Sequence, residues 1–439
     1  VLAAGERALI RGLYSLVMRG AQPFLRRKLL RRGVAEPGYL AHVEERFGRY
    51  SQRCEGGWLW VHAVSLGETR AAAILLKELR LLRPDLRILL THGTATGRAE
   101  GERLLLPGDA QAWLPWDTPQ AVQGFLDHFR PRLGILLETE VWPNLAAGCA
   151  QQGVPLVLAN ARLSGKSLRQ ALQLAPLSRP AYRALAAVWA QTEDDARRLT
   201  RAGARVQGVF GNLKFDAAPD LAQLAQGRAW RRQSGRPVVM FASSRDGEEQ
   251  AFFQVLAQNR QLVEAGWARR VTDPVSSQVQ WLVVPRHPQR FDQVAALARQ
   301  QGLTVSRRSA WAGEPQPAEV WLGDSLGEMA LYYGLADVAL LGGSFEPFGG
   351  QNLIEAAAAG CPVVMGPHTF NFAEAAQLAQ DAGAALRVDS LEEAVRMAVS
   401  LISNPLLHEA AAATASAFSC AHRGAAARTA EAALALLER

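Results

Sequence analysis

Short apolar runs alternate along the chain with longer segments of helical period. Trp58–Val64, Arg87–Thr91, Leu133–Leu137, Val154–Ala159 and Val188–Thr192 read as buried strands. Thr69–Leu82 and Glu193–Arg201 between them read as helices, and Pro143 suits the first turn of another. Continuous apolar strands separated by helices are the pattern of a parallel sheet covered on both faces. About six such repeats reach Val209, with functional groups expected at the C-terminal ends of the strands. The periodicity lapses over 217–236, which reads as a linker with some helix. It restarts with the strand Val238–Ala242, the helix Gly247–Val263 and the strands Trp281–Val284, Val320–Leu322, Val338–Leu341 and Val363–Met365. Residues 264–280 and 308–318 read as surface loops, and an Ala-rich helical tail starts at Pro405. The expected fold is α/β, with two Rossmann-like doubly wound domains facing across a cleft. Their expected bounds are 34–216 and 237–439, the second including the tail.

Asp337–Pro367 carries the strongest local pattern. Strand Val338–Leu341, the pairs Gly342–Gly343 and Gly349–Gly350, a helix over Asn352–Ala359 and strand Val363–Met365 make a βαβ unit. Glycine-rich turns let backbone N–H groups approach an anion, and a helix start favours negative charge. Glu355, one turn inside, is placed to accept hydrogen bonds from a ribose diol. The plainer reading is a tight turn with a helix stop at Gly360. Two glycine pairs beside Glu346 and Glu355 favour a nucleotide site.

Composition narrows the class. At 439 residues, 49% apolar and 20% charged, the chain fits two to three globular domains. Four cysteines, Cys54, Cys149, Cys361 and Cys420, form no Cys-x-x-Cys, which suggests a reducing compartment and no zinc site. The formal charge is +7, but residues 1–33 hold eight basic groups and one acid, leaving 40 of each sign elsewhere. The basic balance is therefore no argument for nucleic acid. It marks a leader in which Leu9, Ile10, Leu13, Leu16 and Val17 share one helical face. Its longest uncharged apolar stretch, Gly12–Met18, is far short of the roughly 20 residues that span a bilayer. Residues 1–33 read as a basic amphipathic helix lying on an anionic membrane surface. Packing on its own domain is the alternative.

The groups fit for chemistry lie just after strands. Glu68 opens a helix, where the anion is favoured and a lowered pKa is expected. Facing a cleft, it could take a proton from a hydroxyl. Glu138 and Glu140 follow a strand at i, i+2 and would share a face of extended chain, or cap the helix at Trp142–Pro143. Lys214 stands just before the linker. Arg286 and His287 end a strand, where an arginine suits phosphate or carboxylate. Asn352 could cap its helix and bind ligand at once. There is no Asp-x-Asp pair, no histidine spacing for a metal, no P-loop and no Gly-x-Gly-x-x-Gly.

From about Glu44 to Phe372 the motifs WVHAVSLGE, ETEVWPN, NARLS, GNLKFD, SSRDGEE, PRHPQRF, GDSLGEM, GGQNLIEAA and MGPHTFNF occur in the order found in bacterial 3-deoxy-D-manno-octulosonic acid (Kdo) transferases, which the chain resembles. The resemblance implies a GT-B fold and an inverting enzyme. It would move Kdo from CMP-Kdo to the lipid A precursor, lipid IVA, at the cytoplasmic face of the inner membrane, without a metal or other cofactor. It implies Glu68 as general base, with Glu138 and Lys214 stabilising the transition state. It places CMP against Pro285, Arg286, Leu326, Gly327, Glu328, Asn352, Leu353, Ile354 and Glu355. Glu45, in ERFG, is the second candidate for the base. Gln351 departs from the His that many members carry, and Phe345–Phe348 varies among relatives and is given no role. The alternatives are another GT-B lipid transferase using a UDP-sugar, or a catalytically silent membrane-bound nucleotide-binding protein.

Overall fold

The structure, a computed structural model, describes residues 4–52, 54–264 and 279–438. Most of the surface loop expected at 264–280 therefore lies outside the described residues. The chain divides into two compact units, residues 1–216 with 422–439, and residues 217–421.

The first unit holds β1 (Leu59–His62), β2 (Ile88–His92), β3 (Ala110–Trp113), β4 (Leu133–Leu137), β5 (Leu156–Ala161), β6 (Ala187–Ala190) and β7 (Val206–Val209). They form one parallel sheet in the order β3-β2-β1-β4-β5-β6-β7. Strands β1, β2, β4 and β5 are buried on both faces, as a doubly wound sheet requires. The order reverses between β1 and β4, paired from Leu59↔Leu133 to His62↔Leu136. The loops after these two strands therefore diverge and leave a crevice.

The second unit repeats the plan with β8 (Val238–Ser244), β9 (Gln280–Pro285), β10 (Val305–Arg307), β11 (Val320–Leu322), β12 (Val338–Leu341), β13 (Val363–Met365) and β14 (Ala385–Arg387). The order is β10-β11-β9-β8-β12-β13-β14, so its reversal lies between β8 and β12.

Two boundaries differ from the sequence reading. The expected linker is mostly the helix Leu221–Ser234, which buries Leu224 and Trp230 and packs on the helix Met329–Leu335 of the second unit. The tail does not stay with the second unit. The helix Ala425–Leu437 buries Ala426, Ala430, Ala433 and Leu434 in the core of the first, against the helix Leu66–Leu82. Asp216 caps it, accepting from the N–H of Gly424 and, at 2.6 Å, of Ala426.

The leader forms the helix Ala4–Ala35. One face docks on the first unit: Ser15 and Leu29 are buried, and Tyr14 donates to Asp117 at 2.9 Å. Asp117 also accepts from the N–H groups of Asn144 and Leu145 at 3.0 and 2.8 Å, capping the helix Pro143–Gln151. Leu9, Leu13, Leu16, Val17 and Phe24 remain exposed. Among the described residues no helix is long and apolar enough to cross a membrane.

Candidate active site

The crevice of the first unit collects three of the expected groups. Ser65 caps the helix Leu66–Leu82 through the Glu68 N–H, and the Glu68 side chain reaches back to the residues before the helix. Its Oε2 accepts from the Val64 N–H at 2.9 Å and its Oε1 from the Ser65 hydroxyl at 2.9 Å. The carboxylate is thereby fixed over the end of β1. Its pKa is pushed up to about 7, not lowered as its helix position predicts. Burial is the largest cause; the Val64 N–H opposes it, while the nearby charges of Glu138 and Glu140 add to it. A carboxylate with a pKa near neutrality is a competent base at neutral pH.

Glu138 follows β4. Its φ of +61° is left-handed, so the alternation of an extended chain does not apply to it and Glu140. The turn is held at both ends: Glu138 N–H donates to Ala159 O at 3.1 Å, and Arg162 N–H to Glu138 O at 3.2 Å. Such backbone is uncommon and concentrates at functional sites. The side chain lies between two cations, with Oε1 3.5 Å from Lys214 Nζ and Oε2 3.7 Å from Arg162 Nη1. Neither acid caps the next helix, a task Asp117 performs from a distance. Glu140 instead accepts from Trp142 Nε1 at 2.8 Å, and burial raises its pKa.

Lys214 is positioned by a chain of amides. Asn160, at the end of β5 with φ +50°, accepts the Leu213 N–H on Oδ1 at 3.0 Å. Gln191 Nε2 donates to Asn160 O at 2.8 Å, and Asn212 Nδ2 to Gln191 Oε1 at 3.2 Å. Asn212 Oδ1 accepts the Lys214 N–H at 3.0 Å. Sequence reasoning gave no role to Arg162, Asn160, Gln191 or Asn212. The signal available was that the first two lie in NARLS directly at a strand end, and the last in GNLKFD.

Glu45, the second candidate base, is committed elsewhere. Its Oε2 lies 3.1 Å from Arg98 Nη1 and accepts the Trp113 N–H at 2.8 Å, with the residue buried. It is a structural clamp between the segment Val43–Phe47 and β3.

In the second unit, Pro285 and Arg286 end β9, the proline buried and the arginine exposed. Burial first, then the charges of Arg245, Arg286 and Arg290, lower the pKa of His287. Arg245, Arg286 and Arg290 thus gather at this end of β8 and β9, Arg290 paired with Asp246 and Glu249, and the cluster suits an anion. The glycine loop after β12 is less available than its sequence suggests. Gly342 N–H donates to Ala242 O, Gly343 N–H to Glu248 Oε2 at 2.7 Å, and Gly350 N–H to Gly343 O. Buried Glu248 also accepts from the N–H groups of Arg245 and Phe345, at 2.9 and 3.2 Å. Three of the four glycine donors are therefore spent inside the protein, and the plainer reading of this loop as a braced turn holds for them.

The helix there is only Ile354–Ala358. Leu353 and Ile354 are core residues, so only their backbone could meet a ligand. Asn352 accepts the Ile354 N–H at 3.1 Å and donates to Glu355 Oε1 at 2.9 Å, leaving Glu355 exposed at the loop edge. Leu326 and Gly327 are exposed after β11, and Glu328 is paired with Arg308 at 2.8 Å. Among the described residues no group of three or more His, Cys, Asp or Glu could hold a metal ion.

Comparison with known proteins finds similar chains. A family model described as 3-deoxy-D-manno-octulosonic-acid transferase (kdotransferase) matches residues 41–217. A 3-deoxy-D-manno-octulosonic acid transferase of Bordetella pertussis is 48% identical over 434 residues, covering 96% of this chain and 98% of the relative. One from Haemophilus influenzae is 30% identical over 380 residues, covering 84% and 85%. A solved glycosyltransferase from Rickettsia africae superposes with a TM-score of 0.54 at 10% identity, covering 87% of this chain and 99% of that one. That last likeness concerns the fold alone, which is of the GT-B type.

Proposed function

The chain belongs to the 3-deoxy-D-manno-octulosonic acid (Kdo) transferase family and is a glycosyltransferase, and from that premise we propose that it moves Kdo from CMP-Kdo to the lipid A precursor, lipid IVA, with inversion at the anomeric carbon. Glu68 removes the proton of the acceptor hydroxyl. The oxygen attacks the anomeric carbon, the bond from that carbon to the phosphate oxygen breaks, and CMP leaves with the bonding electrons. Phosphate is a good leaving group, so little acid assistance is needed. Glu138 favours the positive charge that develops on the sugar ring, and Lys214 meets charge developing on the phosphate. Arg286 and the arginine cluster at the end of β9 bind the phosphate of CMP, with Pro285, residues 326–328 and residues 352–355 lining the nucleotide. No metal or other cofactor is required. The enzyme works at the cytoplasmic face of the inner membrane as a peripheral or monotopic protein, held there by residues 1–33.

The observation that carries this reading is the Glu68 carboxylate. It is fixed by two hydrogen bonds at a strand-order reversal, with its pKa raised to about 7 beside Glu138. The test is incubation of the protein with CMP-Kdo, generated in situ, and a tetraacylated lipid A precursor, with products read by mass. Mass gain in steps of one Kdo unit supports the reading. No gain with active donor and acceptor, or gain with a UDP-sugar instead, overturns it.

A further inference from the structure

The first unit contains a cavity of about 760 Å³ that the proposed chemistry does not use. Its walls include Arg19, Gln22 and Arg26 of the leader helix, Phe47 and Arg49 of the following segment, and Gln120 at the start of the helix Pro119–Phe129. Three guanidinium groups thus share one space. Arg19 donates from Nε to Gln120 Oε1 at 2.9 Å, a neutral partner. Arg26 and Arg49 lie 2.8 and 3.1 Å from the same carboxylate, Glu44, and Arg26 stacks over the Phe47 ring at 4.4 Å. One acid against three bases leaves the cavity cationic. Arg26 and Arg49 stay 47% and 77% exposed beside Glu44, so their guanidinium groups remain open to a ligand.

The cavity's position on the leader narrows the ligand. Arg19 and Arg26 are two helical turns apart and share a flank of the helix. On one side of that flank lies the face carrying Ser15 and Leu29, which is buried on the first unit. On the other lies the stripe Leu9, Leu13, Leu16 and Phe24, all exposed. A soluble anion needs no apolar stripe, and an uncharged lipid needs no arginines. A lipid with a phosphate group satisfies both, because arginine forks match phosphate oxygens and the stripe covers acyl chains.

We infer that this cavity is a binding site for the phosphate group of a membrane lipid whose acyl chains lie along the exposed stripe. The inference rests on the reading that the enzyme works at a membrane surface, and it adds to general basic attraction a defined headgroup site.

The test compares the full chain with two charge-matched variants on phosphatidylcholine vesicles containing phosphatidic acid, read by co-sedimentation. One variant carries Arg19→Gln, Arg26→Gln and Arg49→Gln. The other carries Arg27→Gln, Lys28→Gln and Arg31→Gln, exposed residues of the same helix outside the cavity. Diffuse attraction costs each variant about fivefold per charge removed. The cavity variant is expected to lose at least about tenfold more, because it also loses charge-assisted hydrogen bonds. Thermal unfolding establishes that both variants are folded. Inorganic phosphate at millimolar concentration should displace little of the bound protein. Equal losses in the two variants, or full displacement by inorganic phosphate, overturns the headgroup site. Wild-type protein that ignores the vesicles overturns it too, while Kdo transfer to a detergent-dispersed acceptor, assayed separately, reports on the catalytic reading alone.

Discussion

Lys214 Nζ and Glu138 Oε1 lie 3.5 Å apart, a cation and an anion joined at the ends of different segments of one sheet. The pair lets each hold the other in place while leaving a second carboxylate oxygen facing Arg162. On the proposed mechanism, removing Lys214 takes away the charge assigned to the leaving group and also disturbs the aim of Glu138. Lys214→Ala is expected to lower kcat by about 10²–10³ with a much smaller change in donor KM. Steady-state kinetics with CMP-Kdo varied at fixed acceptor would check it. A change confined to KM would assign Lys214 to ground-state binding.

Asn160 links that lysine to the sheet. Its left-handed φ is one asparagine tolerates better than most residues, and its buried Oδ1 accepts the Leu213 N–H. Asn160→Ala leaves that N–H unsatisfied and strains the backbone. The expected loss is about 2–3 kcal/mol of stability by urea unfolding, with reduced kcat through a displaced Lys214.

Glu45 and Glu68 are separable by experiment. Glu45→Gln breaks a buried ion pair with Arg98 and is expected to cost about 3 kcal/mol in stability while leaving kcat within about threefold of wild type. Glu68→Gln keeps an acceptor for the Val64 N–H and is expected to lower kcat at least about 10²-fold with little loss of stability. The reverse pattern would move the base to Glu45.

The raised pKa of Glu68 also enters stability. Its folded value, about 7, lies above the ordinary value of 4.5, so the folded chain holds this proton more tightly than the unfolded one. The stability so gained is present below the unfolded value and is lost as pH rises through about 7. Measured against Glu68→Gln, wild type should lose about 2 kcal/mol between those limits, partial exposure being allowed for. Parallel stability curves for the two proteins would contradict the shift.

Much of this was legible in the sequence, for identifiable reasons. Central strands such as Leu133–Leu137 are buried on both faces and read as unbroken apolar runs. The strands Ala110–Trp113, Val305–Arg307 and Ala385–Arg387 escaped notice. All three lie at sheet edges, are short, and carry polar or charged residues. Glu68, Glu138 and Lys214 stood out as candidates because they lie in motifs that come after strands. The direction of the Glu68 pKa was not, because burial and the charge of Glu138 depend on a crossover between β1 and β4 that no local pattern encodes. The bracing of the glycine loop was hidden for a similar reason. The Gly343 N–H is spent on Glu248, 95 residues earlier in the chain, and that of Gly342 on Ala242 O in the neighbouring strand. The last helix misled because its alanine face fits either unit, and the cap from Asp216 that ties it to the first is a long-range contact.

The most direct test of the account is the pH dependence of kcat/KM from about pH 5 to about pH 9, for wild type and Glu68→Gln, with CMP-Kdo and a tetraacylated lipid A precursor. Wild-type activity should rise with unit slope to a plateau through a pKa near 7, the value to which burial and Glu138 push Glu68. The Glu68→Gln rate should be at least about 10²-fold lower, with that inflection gone. A variant that retains either the rate or the inflection would contradict Glu68 as the base.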